Sequence, residues 1–386
     1  MGSATGARRA LVNARVLLVP GFVEGQAVLV EGERIAGVVP EADARVKAAE
    51  RHDLAGAMLL PGFVDAQVNG GGGVLFNDAP TVETLRTIGR AHRRFGTTGF
   101  LPTLISDDLS VIAAAIEAVR RAMAEKVPGV IGVHIEGPFI SEARKGAHDP
   151  AKFRDLDDRG VQLLASLGVG RTLVTLAPEV TGAETIRRLT RAGVVVSAGH
   201  TDATFEQMQE AFRHGVTGLT HLFNAMSPLT SREPGAVGAA LHDEQCWCGL
   251  IVDGRHVHPA ALRLALRCKG ADRLMLVTDA MPIVGSERDD FMLQGRRVWL
   301  RDGVCVDENG TLAGSAIDMA TAVRNAVDLL GVPVEQAARM ASTYPAQFLG
   351  LGSDLGRIAP GHRANFTVLD DALVCRAAWI DGSPAA

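Results

Sequence analysis

Short apolar runs alternate with amphipathic stretches along most of the chain. Helix-like stretches lie at 81–95, 107–126, 182–192, 203–214 and 258–269. The apolar runs are four to seven residues long and are bounded by glycine, proline or polar residues, as is typical of buried parallel strands. They are Met58–Val64, Thr98–Pro102, Val130–Ile135, Thr172–Leu176, Val194–Ala198, Thr217–Thr220, Cys248–Ile251 and Arg273–Val277.

Eight such strands joined by helical crossovers predict an α/β fold, a (β/α)8 TIM-like barrel, over residues 58–355. A doubly wound sheet is the competing fold, but no Gly-x-Gly-x-x-Gly follows the first strand. Gly70–Gly73 follows it instead, and we expect a loop there.

Both chain ends have the alternating pattern of strands. The predicted strands are Ala10–Val19, Gln26–Val30, Arg34–Val39, Asn365–Leu369 and Val374–Ile380. Two unrelated tails are the simpler interpretation. Because neither end has enough strands to bury a face alone, we expect residues 1–57 and 356–386 to pair into one small β-sandwich. A β-like insertion, Arg297–Val306, follows the eighth barrel strand.

Composition narrows the classes of function. The chain has 386 residues, 47% of them hydrophobic and 22% charged, which excludes disorder and fibrous repeats. Its net charge of −5 argues against a nucleic-acid partner. No apolar run reaches the roughly 18–20 residues of a membrane span, and no signal peptide is visible, so we expect a cytoplasmic protein without a membrane partner. Five cysteines without a CxxC pair indicate reduced thiols.

Polar side chains follow the predicted strands at their carboxyl ends, where barrels of this kind build active sites. In strand order they are Asp65, Gln67 and Asn69, then Glu136, His200, His221, then Asp253, His256 and His258, and finally Asp279. A single residue of this kind is often structural. Side chains that bind metals or protons at five or six strand ends indicate a site.

The residue types suggest the chemistry. One carboxylate and two imidazoles suit Zn²⁺ or a similar divalent ion with a position left for water. Such an ion lowers the pKa of water and polarises a carbonyl. Asp279 would then accept the proton of the water and give it to the leaving group, although it could instead cap a helix. His134 lies two residues before Glu136 and could be a ligand, a partner of a ligand, or a packed barrel histidine.

Several motifs in strand order match a known family. They are Leu60-Pro-Gly-Phe-Val-Asp-Ala-Gln-Val-Asn-Gly, His134-Ile-Glu-Gly-Pro-Phe, Lys145-Gly-Ala-His148, Ala198-Gly-His-Thr, His221-Leu-Phe-Asn-Ala-Met, Val252-Asp-Gly-Arg-His256, Thr278-Asp-Ala-Met and Pro360-Gly-His-Arg-Ala-Asn-Phe. From about residue 10 to its end, the chain resembles the amidohydrolase superfamily and, within it, the N-acetylglucosamine-6-phosphate deacetylases.

The resemblance implies hydrolysis of N-acetyl-D-glucosamine 6-phosphate, a phosphorylated amino sugar, to D-glucosamine 6-phosphate and acetate. It also implies roles for particular residues. The matching positions are Glu136, His200 and His221 for the metal, Asp279 for the general acid/base, His256 for polarising the acetamide carbonyl, Ala147 and His148 for the sugar, and Asn224, Ala225 and Arg232 for the phosphate. Gln67 and Asn69 would border the site. The resemblance further implies a homodimer in which Arg232 reaches the neighbouring subunit's site.

Two departures from the wider superfamily predict one metal per chain. Most members carry His-x-His after the first strand, where this chain has Gln67-Val-Asn69. Many binuclear members carry a carbamylated lysine after the fourth strand, where this chain has Ala177-Pro178-Glu179. We expect Zn²⁺, with Fe²⁺, Co²⁺ and Mn²⁺ also accepted by such ligands.

Two alternatives remain open. The motifs hardly separate C4 epimers, so N-acetylgalactosamine 6-phosphate is a second candidate substrate. A catalytically inactive barrel that serves in assembly is the other, but Glu136, His200, His221 and Asp279 are all retained, which argues against it.

Overall fold

Seven short strands and one helix precede the barrel in a computed structural model that describes residues 8–385. They are β1 (Arg9–Val12), β2 (Arg15–Leu18), β3 (Gly21–Val23), β4 (Gln26–Glu31), β5 (Arg34–Pro40), α1 (Ala44–Lys47), β6 (Glu50–Asp53) and β7 (Met58–Pro61). The single strand predicted over Ala10–Val19 is wrong, because Asn13 adopts a left-handed φ of 54° and divides it. Residues 1–7 and 386 lie outside the described residues.

Eight parallel strands form the predicted barrel. The next strands in the chain are β8 (Phe63–Val68), β9 (Gly70–Gly71), β10 (Val74–Leu75), β11 (Thr97–Ile105), β12 (Gly132–Glu136), β13 (Arg171–Leu176), β14 (Val195–Ala198), β15 (Val216–Leu219), β16 (Trp247–Leu250) and β17 (Leu274–Leu276). The barrel order is β8 and then β11 to β17. It closes where the Asp279 N–H donates to the Gln67 carbonyl at 2.9 Å, so the (β/α)8 prediction is confirmed. Gly70–Gly73 is not wholly a loop, because β9 pairs with β10.

Helices cover the outside of the barrel. They are α2 (Val82–Arg93), α3 (Leu109–Ala124), α4 (Asp158–Leu164), α5 (Pro178–Thr181), α6 (Ala183–Arg191), α7 (Phe205–Arg213), α8 (Gly235–His242), α9 (Pro259–Lys269), α10 (Met319–Leu330), α11 (Val334–Ala341) and α12 (Thr343–Phe348), with 3-10 turns at Glu142–Arg144, Pro150–Lys152 and Ala271–Arg273. Thr204 begins α7 with a capping box to Gln207. Among residues 8–385, no helix is long and apolar enough to cross a membrane.

The predicted insertion is a three-stranded antiparallel sheet at the mouth of the barrel. Its strands are β18 (Asp290–Leu293), β19 (Arg296–Arg301) and β20 (Val304–Val306). Phe291, Leu293 and Val298 of this sheet bury a small core against Ile105 and Met281 beside the barrel mouth. The insertion therefore forms a wall on one side of the barrel mouth.

The two chain ends build the predicted sandwich. The last strands are β21 (Phe366–Leu369), β22 (Cys375–Ile380) and β23 (Ser383–Ala385). One sheet is β5-β4-β1-β6, and the other, β23-β22-β21-β7-β2-β3, takes strands from both ends. Side chains such as Val28, Phe366 and Trp379 share one buried core in this region.

The strand predicted over Met58–Val64 is divided at Gly62, with β7 in the sandwich and β8 in the barrel. A Cβ at Gly62 would lie 2.1 Å from Thr98 Oγ1, so the crossing from sandwich to barrel requires glycine. The domain limits at 57/58 and 355/356 remain predictions.

Candidate active site

A cavity of about 390 Å³ opens at the carboxyl end of the barrel strands. Nine residues singled out from the sequence line it: Glu136, Ala147, His148, His200, His221, Asn224, Ala225, His256 and Asp279. Because the strands are parallel, their carboxyl ends and the loops that follow them bring these side chains to one place. The insertion closes one side with Leu293.

Glu136, His200 and His221 form a tight triangle of potential ligand atoms. Glu136 Oε1 lies 3.0 Å from His221 Nε2 and 3.3 Å from His200 Nε2, and the two imidazole nitrogens are 3.2 Å apart. Tetrahedral Zn²⁺ with bonds of about 2.0–2.1 Å separates its ligand atoms by about 3.3 Å. The three residues therefore fit a divalent ion, and all three are at least 95% buried.

The hydrogen bonds of His200 orient its ring for this role. Its Nδ1–H donates to the Arg144 carbonyl at 2.9 Å, which leaves the lone pair on Nε2, facing Glu136 and His221. Burial opposes ionisation of Glu136, but His200 and His221 lower the pKa of that carboxyl well below its ordinary value. The carboxylate is thus ionised and able to bind a cation.

Three of the site residues have a strained backbone conformation. His200, His221 and Asp279 have φ values of 49°, 36° and 51°, in the left-handed region that residues other than glycine seldom adopt. Each follows the end of a barrel strand, where the left-handed turn directs the side chain across the mouth. Such strain is found where the surrounding structure fixes a functional geometry.

Asp279 is held by two amides. Gln67 Nε2 and Asn69 Nδ2 donate to its Oδ1 at 3.1 and 2.6 Å, and within residues 8–385 no donor contacts Oδ2. Burial, together with the charge of Glu136, raises the pKa of Asp279 to about 6. Gln67 also donates to Glu136 at 3.1 Å, so it links the carboxylate of the triangle to Asp279.

His256 is oriented by Asp253. The Nδ1–H of His256 donates to Asp253 Oδ2 at 2.5 Å, while the backbone N–H groups of Arg255 and His256 donate to Oδ1. Burial opposes ionisation of Asp253, but His256 lowers the pKa of this carboxyl below its ordinary value. The other ring nitrogen of His256 is left for the cavity. His258, grouped with them in the sequence, instead caps α9 by accepting the Ala260 N–H.

His148 also lies near the triangle, since ligand atoms of Glu136, His148 and His200 are within 4.8 Å of one another. Its Nδ1 accepts the Ser106 N–H at 3.4 Å and lies 2.7 Å from Ser106 Oγ. Burial and the neighbouring His200 lower the pKa of His148 well below its ordinary value. A neutral ring that accepts at Nδ1 carries its proton on Nε2, so in this arrangement His148 offers the cavity a donor.

Two predicted site residues lie elsewhere. His134 is packed inside the barrel, where its ring nitrogens contact the hydroxyls of Thr103 at 3.2 Å and Thr175 at 2.7 Å. Burial lowers its pKa to about 4. It is thus a barrel histidine, one of the alternatives left open. Arg232 is exposed in the segment before α8 and is not among the residues that line the cavity.

Residues 58–385 match the Amidohydrolase family. The chain belongs to this family. It is 45% identical to the N-acetylgalactosamine-6-phosphate deacetylase of Shewanella sp. (strain ANA-3) over 96% of this chain and 94% of that protein. It is 37% identical to the N-acetylglucosamine-6-phosphate deacetylase of Haemophilus influenzae (strain ATCC 51907 / DSM 11121 / KW20 / Rd), over 93% and 94% of the two chains.

A solved structure resembles this amidohydrolase throughout. The crystal structure of N-acetylglucosamine-6-phosphate deacetylase from Pasteurella multocida superposes with a TM-score of 0.95 at 36% identity and covers 98% of this chain and 100% of that one. The resemblance noted from the sequence motifs is therefore confirmed, as are the barrel and the additional sheets from the chain ends.

Several residues that line the cavity of this amidohydrolase were not predicted from the sequence. Arg144, whose guanidinium pairs with Asp202 at 2.7 Å, lines the wall. Leu293, Thr311 and Leu312 come from the insertion and the segment after it. The Arg144-Lys145 pair before Gly146 was a usable signal, because the motif ending in His148 was already recognised. No pattern marked the insertion as part of the cavity.

Proposed function

We propose that the chain is a metal-dependent hydrolase that removes the acetyl group from N-acetyl-D-glucosamine 6-phosphate, giving D-glucosamine 6-phosphate and acetate. The Glu136–His200–His221 triangle beside Asp279 carries the proposal, since this donor set fits a divalent ion next to an acid/base group. The named relatives and the Pasteurella structure support the substrate class. An ion bound there would lower the pKa of water and polarise the acetamide carbonyl.

The chain's own residues supply the remaining steps. Asp279 accepts a proton at its free Oδ2 and later gives it to the leaving nitrogen, while the amides of Gln67 and Asn69 fix its Oδ1. His256 presents its Nε2 to the cavity, where it can polarise the acetamide oxygen as negative charge develops there. The Asp253 contact keeps that ring in place.

The sugar would lie between His148 and the Asn224–Ala225 segment. His148 Nε2–H provides a donor to a ring hydroxyl, and Ala147, Asn224 and Ala225 line the same cavity. An acetate-release assay tests the proposal with and without chelation of the metal. Acetate from the phosphorylated sugar that stops on chelation and returns with Zn²⁺ supports it, and no acetate under any metal condition contradicts it.

N-acetylgalactosamine 6-phosphate is the second candidate substrate. The observation in its favour is the 45% identity to the Shewanella enzyme, whose name specifies that sugar. The two sugars differ only at C4, so the ratio of their kcat/KM values decides between them. A ratio above one for the galacto epimer would replace the gluco assignment.

We further propose one Zn²⁺ per chain, a cytoplasmic location and a homodimer in which Arg232 binds the substrate phosphate of the neighbouring subunit. An exposed arginine outside its own chain's cavity is compatible with action in trans, and arginine can bind phosphate bidentately. Arg232→Ala would raise KM for the phosphorylated sugar and barely alter the slow rate on unphosphorylated N-acetylglucosamine.

Mixing Arg232→Ala with Asp279→Asn subunits tests the sharing of sites. Action in trans restores one working site per mixed dimer, because one site then has both wild-type residues. No recovery after verified subunit exchange would place Arg232 in its own chain's site.

A further inference from the structure

Gln294 stands at the tip of the hairpin that joins β18 to β19. Its side-chain amide contacts two separate backbone segments: Nε2 donates to the Ser106 carbonyl at 2.6 Å, and Oε1 accepts the Asp149 N–H at 2.9 Å. Arg296, two residues on, donates to the Ala147 carbonyl. The insertion thus contacts the barrel loops through side chains that bind main-chain groups.

Both contacts of Gln294 flank His148. Asp149 is the next residue in the chain, and Ser106 is the residue whose hydroxyl and N–H contact His148 Nδ1. The segment from 137 to 157 has only two 3-10 turns as regular structure, and His148 N–H donates within it to the Lys145 carbonyl at 3.1 Å. A segment with so little regular structure depends on outside contacts for its position.

The conformation of the turn does not favour glutamine at position 294. Gln294 has a φ of 47° and precedes Gly295 with a φ of 80°, which is the pattern of a two-residue hairpin turn with both central residues left-handed. Asparagine or glycine is favoured at the first of these positions. Glutamine bears the cost of a left-handed conformation, and its side chain is the part that makes the bridging contacts.

We infer that Gln294 is a positioning residue that holds His148 in the orientation needed to bind the sugar. The inference rests on the proposed function. By fixing Ser106 on one side and Asp149 on the other, Gln294 keeps the His148 Nε2–H directed at the cavity. The insertion therefore sets the sugar-binding geometry through the segments on either side of His148.

The informative variant is Gln294→Asn. Asparagine suits the left-handed turn at least as well as glutamine, so we expect the hairpin and the overall fold to stay as in wild type. Its side chain is one methylene shorter and cannot span from the turn to both Ser106 and Asp149. Met292→Ala is the matched control, because Met292 lies on the same hairpin with 49% of its surface exposed.

We expect Gln294→Asn to raise KM for the phosphorylated sugar about tenfold with kcat nearly unchanged, as loss of binding common to ground and transition states does. Metal content stays at the wild-type value. In a His148→Ala background the same substitution has no further effect on kcat/KM, because coupled residues are not additive. The Asp149 amide also exchanges with solvent faster, since its acceptor is gone.

Unchanged KM and unchanged Asp149 exchange in Gln294→Asn would overturn the inference while leaving the proposed function intact. Full additivity with His148→Ala would also overturn it, because Gln294 would then act by another route. If the wild-type protein releases no acetate, the proposed function fails and the inferred role in sugar binding fails with it.

Discussion

We expect Asp279→Asn to remove proton transfer while the fold and the binding of metal and substrate are kept. Asparagine keeps the left-handed φ of 51° that Asp279 adopts, because asparagine tolerates this region as aspartate does. Its Oδ1 can still accept from the amides of Gln67 and Asn69, and its N–H still donates to the Gln67 carbonyl. The one change is at Oδ2, where an amide group that cannot accept a proton replaces a free carboxylate oxygen.

The size of the effect follows from that single loss. General acid–base assistance contributes about 10²–10⁴-fold to rate, which corresponds to about 3–5 kcal/mol of activation free energy. Since the Glu136–His200–His221 triangle is untouched, we expect metal content and KM to change little. The unfolding temperature should also remain close to that of the wild-type protein.

Steady-state acetate release, elemental analysis and thermal unfolding measure these quantities on one preparation. Asp302→Asn is the matched control, because Asp302 has a φ of 49° in an exposed hairpin turn away from the cavity. A kcat within about threefold of wild type, with the metal still bound, would refute the assignment of Asp279. A loss of metal together with activity would instead assign Asp279 to the metal site.

Three further expectations follow. His200→Ala and His221→Ala should each lose the metal while the fold is retained. Elemental analysis of the wild-type protein should give one ion per chain, and two firmly bound ions would contradict this. Gly146→Ala should lower metal affinity and kcat, because its φ is 56° and a Cβ would lie 3.2 Å from His200 Cε1; unchanged metal titration would contradict that. Burial raises the pKa of Asp65 from 3.8 to about 7, so Asp65 in the folded protein retains a proton below about pH 7. Its contribution to stability therefore falls as pH rises through 4–7. Asp65→Asn should flatten that fall in denaturant unfolding, and parallel curves for both proteins would refute it.

Much of the site was predictable because parallel strands place their carboxyl ends together. Glu136 ends one barrel strand, and His200 and His221 follow two others. The hydrophobic pattern alone located those strand ends. The sandwich was also predictable, because neither chain end has enough strands to bury a sheet face by itself. The role of His134 could not be predicted from the sequence, because its two threonine partners come from strands far apart in the chain.

Other features depend on contacts that no local pattern records. At Gly62, where the predicted strand divides, the need for glycine comes from the close approach of Thr98, 36 residues away in the chain. The left-handed backbone at His200 and His221 arises from tertiary packing, because histidine has no intrinsic preference strong enough to predict it. Likewise, the insertion reaches the cavity through tertiary contacts, which include its packing on Ile105 and Met281.

The most direct test of the account is acetate release by metal-free protein that has been reloaded with Zn²⁺. N-acetylglucosamine 6-phosphate, its galacto epimer and unphosphorylated N-acetylglucosamine would be compared, with the free amine measured beside the acetate. We expect equal amounts of amine and acetate from a 6-phosphate, none from the metal-free protein, and little from the unphosphorylated sugar. No acetate from either 6-phosphate with Zn²⁺, Fe²⁺, Co²⁺ or Mn²⁺ would contradict the account.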